Sequence, residues 1–260
     1  MKKALFILVL IVMTTPLAAA GDVELEGDRP DFTESANVVP FGSIQLEGGY
    51  SFFGADGLDE HAFGELLLRI GVYDRLELRL GAGSLNWTDD GTEQVFGKDD
   101  PSMGAKIQIL YGSEQFNILS PDMSLILGTS IPVGTDDFTD KKWQPEGKLC
   151  IAWPVTNWFS FGTNLNYTYA YDTGKGHWFS QFSGSMVFGF SVTEELGAYG
   201  EYIIYAPESS GGGSANYLSA GLTWLVTGTV QVDGRFGIRV HDDYDYFTGI
   251  GFVFLWPEVW

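Results

Sequence analysis

Thr229–Val240 reads TVQVDGRFGIRV. Val230, Val232, Phe236, Ile238 and Val240 fall in one phase of a two-residue alternation, and Gln231, Asp233, Arg235 and Arg239 fall in the other. Side chains of a strand point alternately to its two faces, so this segment presents one oily face and one charged face. Such a strand can separate an apolar medium from a polar one. The alternation recurs about a dozen times along the chain, which is how a sheet is written to close into a membrane barrel.

The compartment agrees. Residues 1–20 have the form of an export signal, with Lys2 and Lys3, an apolar run from Ala4 to Met13, and Ala18, Ala19 and Ala20 before Gly21. That run is shorter than the roughly 20 residues a spanning helix needs, and no later segment approaches that length. Residues 21–43 then read as a polar leader and residues 44–260 as the barrel. Thirty-four glycines and 15% aromatics argue for many strands and tight turns. The formal charge of -20, which becomes -22 once Lys2 and Lys3 leave with the signal, excludes nucleic acid as a partner, because the chain lacks a phosphate-neutralising patch. Cys150 is alone and cannot form an internal disulfide.

Four junctions look alike: VYDRLELRLG from Val72, VTNWFSFGTN from Val155, VTEELGAYGE from Val192 and VTGTVQVDGR from Val226. Each is a valine, a tight polar turn and an alternating strand. Longer polar connections lie between them, around Gly54–Glu60, Ser84–Asp100, Gly134–Trp143, Asp172–Gly176, Ala206–Ala215 and His241–Asp245. In outer-membrane barrels the short turns face the periplasm and the long loops face outside. Twelve strands are expected, from Ile44–Phe53, Ala62–Tyr73 and Arg75–Gly83 through to Tyr246–Trp256. Gly112–Asp122 is long for a periplasmic turn, and a different reading there changes the count by two.

Tryptophan placement is a partly independent check. Trp153, Trp158, Trp224, Trp256 and Trp260 sit by the short turns, and Trp87, Trp143 and Trp178 by the long loops, as aromatic girdles at both edges of an apolar band require. A secreted β-sandwich also alternates apolar and polar faces, but it predicts neither the girdles nor strands this long.

If the apolar phase faces lipid, the opposite phase is the lumen lining. It offers Gln45, Glu47, Glu65, Arg69, Glu77, Arg79, Lys106, Gln108, Glu146, Lys148, Asn164, Asn166, Gln181, Ser183, Ser185, Glu201, Gln231, Asp233, Arg235 and Arg239. Six acids face six bases in this set, so cross-strand pairing that props the wall is expected for most of them, and a part in selecting solutes for a minority. Twelve strands should leave a narrow passage. The leader has two readings, a periplasmic tail or a plug folded back into the lumen with Asp28, Arg29, Asp31 and Glu34 paired to the lining. On the wall itself, Leu78→Arg should hinder insertion and Arg79→Leu should be tolerated.

The run Asp28, Arg29, Pro30, Asp31, Phe32, Thr33, Glu34, Ser35, continuing to Phe52, resembles the opening of a bacterial outer-membrane transporter family associated with the meta-pathway of phenol degradation. The segment from Asn216 to Trp256 resembles that family's closing three strands. The resemblance implies a porin-like barrel in the outer membrane of a Gram-negative-type bacterium, linked to passage of small hydrophobic or aromatic compounds. One departure is visible: Trp256 is followed by Pro257, Glu258, Val259 and Trp260, where family members stop on the last aromatic, so either Trp256 or Trp260 is the signal for the barrel-assembly machinery.

Two other classes compete. An outer-membrane hydrolase needs a serine within reach of a histidine, and His61, His177 and His241 all border long loops, with no G-x-S-x-G elbow; its site would be assembled from distant strands. A sealed structural barrel would act through its loops. HDDYDY at His241–Tyr246 and the Asp136–Asp137 pair lack calcium-loop spacing, and solvated acidic loops bridged to lipopolysaccharide by divalent cations account for them. The expectation is a passive channel for small solutes in outer-membrane lipid, not an enzyme, with no cofactor and no bound metal.

Overall fold

The computed structural model describes residues 25–113, 115–240 and 245–260. Residues 1–24, which hold the expected export signal, lie outside the described residues, as do Glu114 and residues 241–244 of the HDDYDY run. The strands are β1 (Ile44–Ala55), β2 (Leu58–Tyr73), β3 (Leu76–Gly81), β4 (Leu85–Asp89), β5 (Gln94–Lys98), β6 (Ser102–Leu110), β7 (Asp122–Ser130), β8 (Pro145–Thr156), β9 (Phe159–Asp172), β10 (His177–Ser191), β11 (Leu196–Ala206), β12 (Ala215–Thr227), β13 (Val230–Arg239) and β14 (Tyr246–Trp256). All pairings are antiparallel, and β1 pairs with both β2 and β14, so the sheet closes on itself.

Fourteen segments make a barrel of twelve strands. On β2, Leu67 faces Gly81 of β3 and Phe63 faces Leu85 of β4 in unbroken register. Gly81 faces Ser102 of β6 and Leu85 faces Lys98 of β5, again without a shift. Thus β3–β4 and β5–β6 are two long strands, interrupted at 82–84 and 99–101. The sequence reading placed Ser84–Asp100 in a loop. The structure corrects this: Asp90-Gly91 is a hairpin signal, with Gly91 at φ 78° and its N–H donating to Asp89 Oδ1 at 2.8 Å. The polarity of the segment masks its alternation, because it projects beyond the apolar band. At the doubtful joint, β6 and β7 pair directly, with Leu110 opposite Met123, and the described residues between them form no strand.

The alternation holds in three dimensions. Leu78 is 42% exposed, between Glu77 at 0% and Arg79 at 7%. An irregularity against β1 keeps the middle of β2 in phase. Its pairing with β1 shifts between Glu47 and Gly49, leaving one extra residue on β2 near Gly64 (φ 96°) and Glu65 (φ 41°). Such a bulge re-aims side chains: Phe63 and Leu66 both face outward while Glu65 turns in.

Aromatic rings gather on the outer face at both ends. Near the short turns, Trp153 stacks on Phe161 at 5.5 Å, and Trp158, Phe159, Phe188 and Phe190 continue the belt. Near the long loops, His61 stacks on Trp87 and Tyr169 on Trp178, each at 4.7 Å. After β14 the chain turns along the barrel foot, where Val259 N–H donates to the Gly42 carbonyl at 2.7 Å.

Candidate functional site

The inward phase carries a dense set of charges, sorted by side. Arg69 of β2 and Arg79 of β3 face each other across the strands, with Lys106 of β6 and Lys148 of β8 further round the same arc. Like charges opposite one another are destabilising unless acids intervene. Here Glu77 binds Arg69 at 2.9 Å and Arg79 at 2.8 Å, and Glu47 binds Arg69 at 3.0 Å. Three wall carboxylates, Glu47, Glu77 and Glu146, against four cations leave this arc positive. Across the lumen, Glu201 of β11, Asp233 of β13 and Glu65 of β2 outnumber Arg235.

The leader supplies what each side lacks. It enters by the short-turn end, where Gly27 lies beside Val253 and Gln231, rises to a tip at 30–33, and descends to Val39 and Pro40, which abut Gly71. Asp28 points into the positive arc: its carboxylate accepts from Arg79 Nη1 at 2.6 Å and Lys106 Nζ at 3.1 Å, and lies 3.4 Å from Arg69 Nη1. Glu34 accepts from Arg79 Nη2 at 2.7 Å and pairs with Lys148. Arg29 points the opposite way, to Glu65 at 2.8 Å and Asp233 at 3.5 Å. At the tip, Thr33 N–H and Oγ1–H both donate to Glu201 (2.7 and 2.6 Å) and Phe32 N–H donates to its other oxygen at 3.1 Å. The Pro30 carbonyl accepts from Arg235 at 3.1 Å. Ser35 N–H closes the turn onto Asp28 at 2.9 Å. Asp31 is the one charged residue of the motif without an ion pair among the described residues.

The remaining lining residues divide. Gln108 accepts from Val38 N–H at 3.2 Å, and Asn164, with its amide turned to suit, accepts from Glu34 N–H at 2.8 Å; both hold the leader. Asn166 donates to Ser183 at 3.1 Å within the wall, and Gln181 donates to the Glu208 carbonyl of the β11–β12 loop at 2.7 Å. Arg239 binds Glu208 at 2.7 Å and Asp245 at 3.2 Å at the loop end. Glu146 is exposed to a void of about 270 Å³ beside Glu34 and Arg79. Gln231 Nε2 is buried without a hydrogen-bond partner among the described residues. The geometry speaks against tolerance of Arg79→Leu: Asp28, Glu34 and Glu77 share the Arg79 guanidinium, and its removal leaves each with one fewer cation in a part-buried to buried site.

Above the tip lies a cavity of about 410 Å³, lined by Phe32, Phe53, Tyr205, Tyr217 and Phe247 with Arg235 and Glu201 among them. Phe32 meets Tyr205 edge to face at 5.5 Å. The sequence reading missed these rings because it took aromatics as lipid-facing. Their phase gives them away, since Phe53 shares parity with Glu47 and Ser51, and Tyr205 with Glu201.

A serine–histidine contact exists, between the β11–β12 loop and the first residue of β10. Ser210 Oγ lies 3.1 Å from His177 Nε2, and His177 Nδ1 lies 3.2 Å from the Trp178 carbonyl. Ser210 is buried, and its carbonyl accepts from Lys175 Nζ. Its hydroxyl has no open face for a substrate, so the contact clasps the β9–β10 loop to the β11–β12 loop.

A family model described as "Putative MetA-pathway of phenol degradation" matches residues 27–256, from the leader motif to the last strand. No curated protein matches the sequence. Among solved structures, an outer membrane channel from Pseudomonas putida F1 superposes with a TM-score of 0.65 at 11% identity, over 92% of this chain and 99% of that one. The NanC porin gives 0.56 at 9% identity (81% and 98%), and the KdgM porin in complex with disordered oligogalacturonate gives 0.51 at 13% (82% and 98%). At these identities the likeness is one of fold.

Proposed function

The chain belongs to this phenol-degradation family, and from that membership and its lumen we propose a passive outer-membrane channel for small solutes, apolar and aromatic compounds among them, stoppered by its own leader. The observation that carries the reading is the seat of residues 28–35 across a charged lumen, directly beneath an aromatic cavity. Solute enters from the loop side, collects among Phe53, Tyr205, Tyr217 and Phe247, and passes when the leader yields. The lining residues tune passage and hold the stopper, and they perform no chemistry. Barrel-assembly machinery places the protein in the membrane, and the acidic outer loops meet lipopolysaccharide through divalent cations.

The test is uptake into liposomes carrying the refolded protein, comparing a small aromatic alcohol, a sugar and an ion, each corrected for leak through protein-free lipid. Protein-dependent entry is expected, largest for the aromatic alcohol and increased when the leader is released by substitution. No entry of any solute, with folded barrel present and leader released, would sink the channel reading.

A further inference from the structure

One short-end connection is built unlike the others. The β8–β9 and β12–β13 turns close in two residues, whereas β6 and β7 are joined by residues 111–121. In that connection Phe116, Ile118 and Leu119 are 52%, 61% and 87% exposed. Apolar side chains clustered this way mark an interaction surface. The neck is fixed, since Gly112 N–H donates to Asp122 Oδ1 at 2.8 Å and Ser113 N–H to the Ser120 carbonyl at 3.1 Å, and Leu119 N–H donates to Asn117 Oδ1 at 3.0 Å. Its direction is fixed too. Trp153 Nε1–H donates to the Ile118 carbonyl at 3.2 Å, and Trp153 belongs to the outer aromatic belt through Phe161 and Phe188. The loop therefore hangs on the outside of the wall, away from the lumen. At its root, Tyr111 donates to the Asp74 carbonyl beneath the Arg75 guanidinium, 5.1 Å from its ring.

We propose that Phe116, Ile118 and Leu119 form an interfacial anchor that dips into the periplasmic leaflet of the outer membrane beside the Trp153 belt. The occupant is lipid at the boundary of headgroups and acyl chains, because the loop continues an aromatic belt whose indole and phenol rings settle at that depth. The inference rests on the barrel spanning the membrane, and the test separates the two.

The full chain, with Cys150→Ser, is placed one copy per nanodisc with an environment-sensitive fluorophore at Leu119→Cys, at Ile118→Cys as a second probe of the loop, at Leu78→Cys on the outer wall, or at Thr193→Cys in the β10–β11 turn. Lipids brominated on their acyl chains should quench the Leu119, Ile118 and Leu78 probes and shift none of their accessibility to aqueous iodide, which should quench the Thr193 probe alone. Loop probes that respond to iodide and not to bromolipid, while the Leu78 probe responds to bromolipid, overturn the anchor and leave the barrel intact. A Leu78 probe that responds only to iodide overturns the membrane barrel itself. Loop probes shielded from both quenchers overturn the anchor in favour of a protein-covered surface.

Discussion

Asp28→Ala should release the leader. Lys106 Nζ is fully buried, and Asp28 is the one carboxylate that pairs with it among the described residues, its other acceptors being Ser35 and Asn37 oxygens at 3.1–3.3 Å. Arg69 and Arg79 keep Glu77 after the change, so the orphaned charge is the ammonium. Removing one partner of a buried ion pair costs about 3–5 kcal/mol, and the surviving partners of the arginines place this site toward the lower end. At about 1.4 kcal/mol per decade, the undocked population of the leader rises by roughly two orders of magnitude. Hydrogen exchange reads this directly, because Thr33 and Val39 N–H groups donate to Glu201 and Glu77, at 2.7 and 2.8 Å, and not to Asp28. Their protection should fall about a hundredfold while that of the β10 and β11 amides stays constant, since local opening is measured separately from global unfolding. Adding Lys106→Met should restore much of the protection, because an apolar replacement of both partners removes the orphan. Protection of Thr33 and Val39 within about threefold of the parent in the single variant, or no recovery in the double, would refute the assignment of Asp28 as the latch.

Three further outcomes are expected. Leu78→Arg puts a charge on the lipid face and should lower folding stability in bilayers by about 2–4 kcal/mol near midplane, read by denaturant titration in liposomes. Arg79→Leu should expose the leader as Asp28→Ala does, by about 3–5 kcal/mol, checked by cleavage of the leader with protease added from the short-turn side; an intact leader would count against the shared seat. At the β4–β5 tip, the Thr92 hydroxyl and then the Glu93 and Thr92 N–H groups hold Asp90 to about 2. A carboxylate lowered in the folded state contributes above its ordinary value and stops contributing as pH falls through the lowered one. Protection of the Thr92 and Glu93 amides should therefore persist at pH 4 and disappear only as pH approaches 2.

The outer wall was legible because lipid imposes a simple rule on every second residue. Leu78 between Glu77 and Arg79 is readable without coordinates, and so is the closure of Ile44–Ala55 against Tyr246–Trp256. The β4–β5 hairpin escaped because it stands clear of the band, where nothing forces its alternation to be apolar; only Asp90-Gly91 announced it. Glu65 fell in the right phase for a reason invisible in sequence, the extra residue at Gly64. The leader's seat was not decidable at all. Asp28 and Lys106 meet inside the lumen from 78 residues apart in the chain, and no local pattern joins them. The inward rings of Phe53, Tyr205, Tyr217 and Phe247 are readable by parity alone, because residue type does not distinguish them from the rings of the girdles.

Both limbs of the leader leave by the same mouth of the barrel, with the tip aimed at the other. A solute pressing from the cavity side pushes the tip toward the only direction in which the hairpin can withdraw. One arriving from the short-turn side meets the splayed limbs and drives them further onto Glu201 and Arg235. A passive plug of this shape cannot drive flow at equal concentrations, but equal gradients of opposite sign should give unequal initial fluxes, with inward flow the larger.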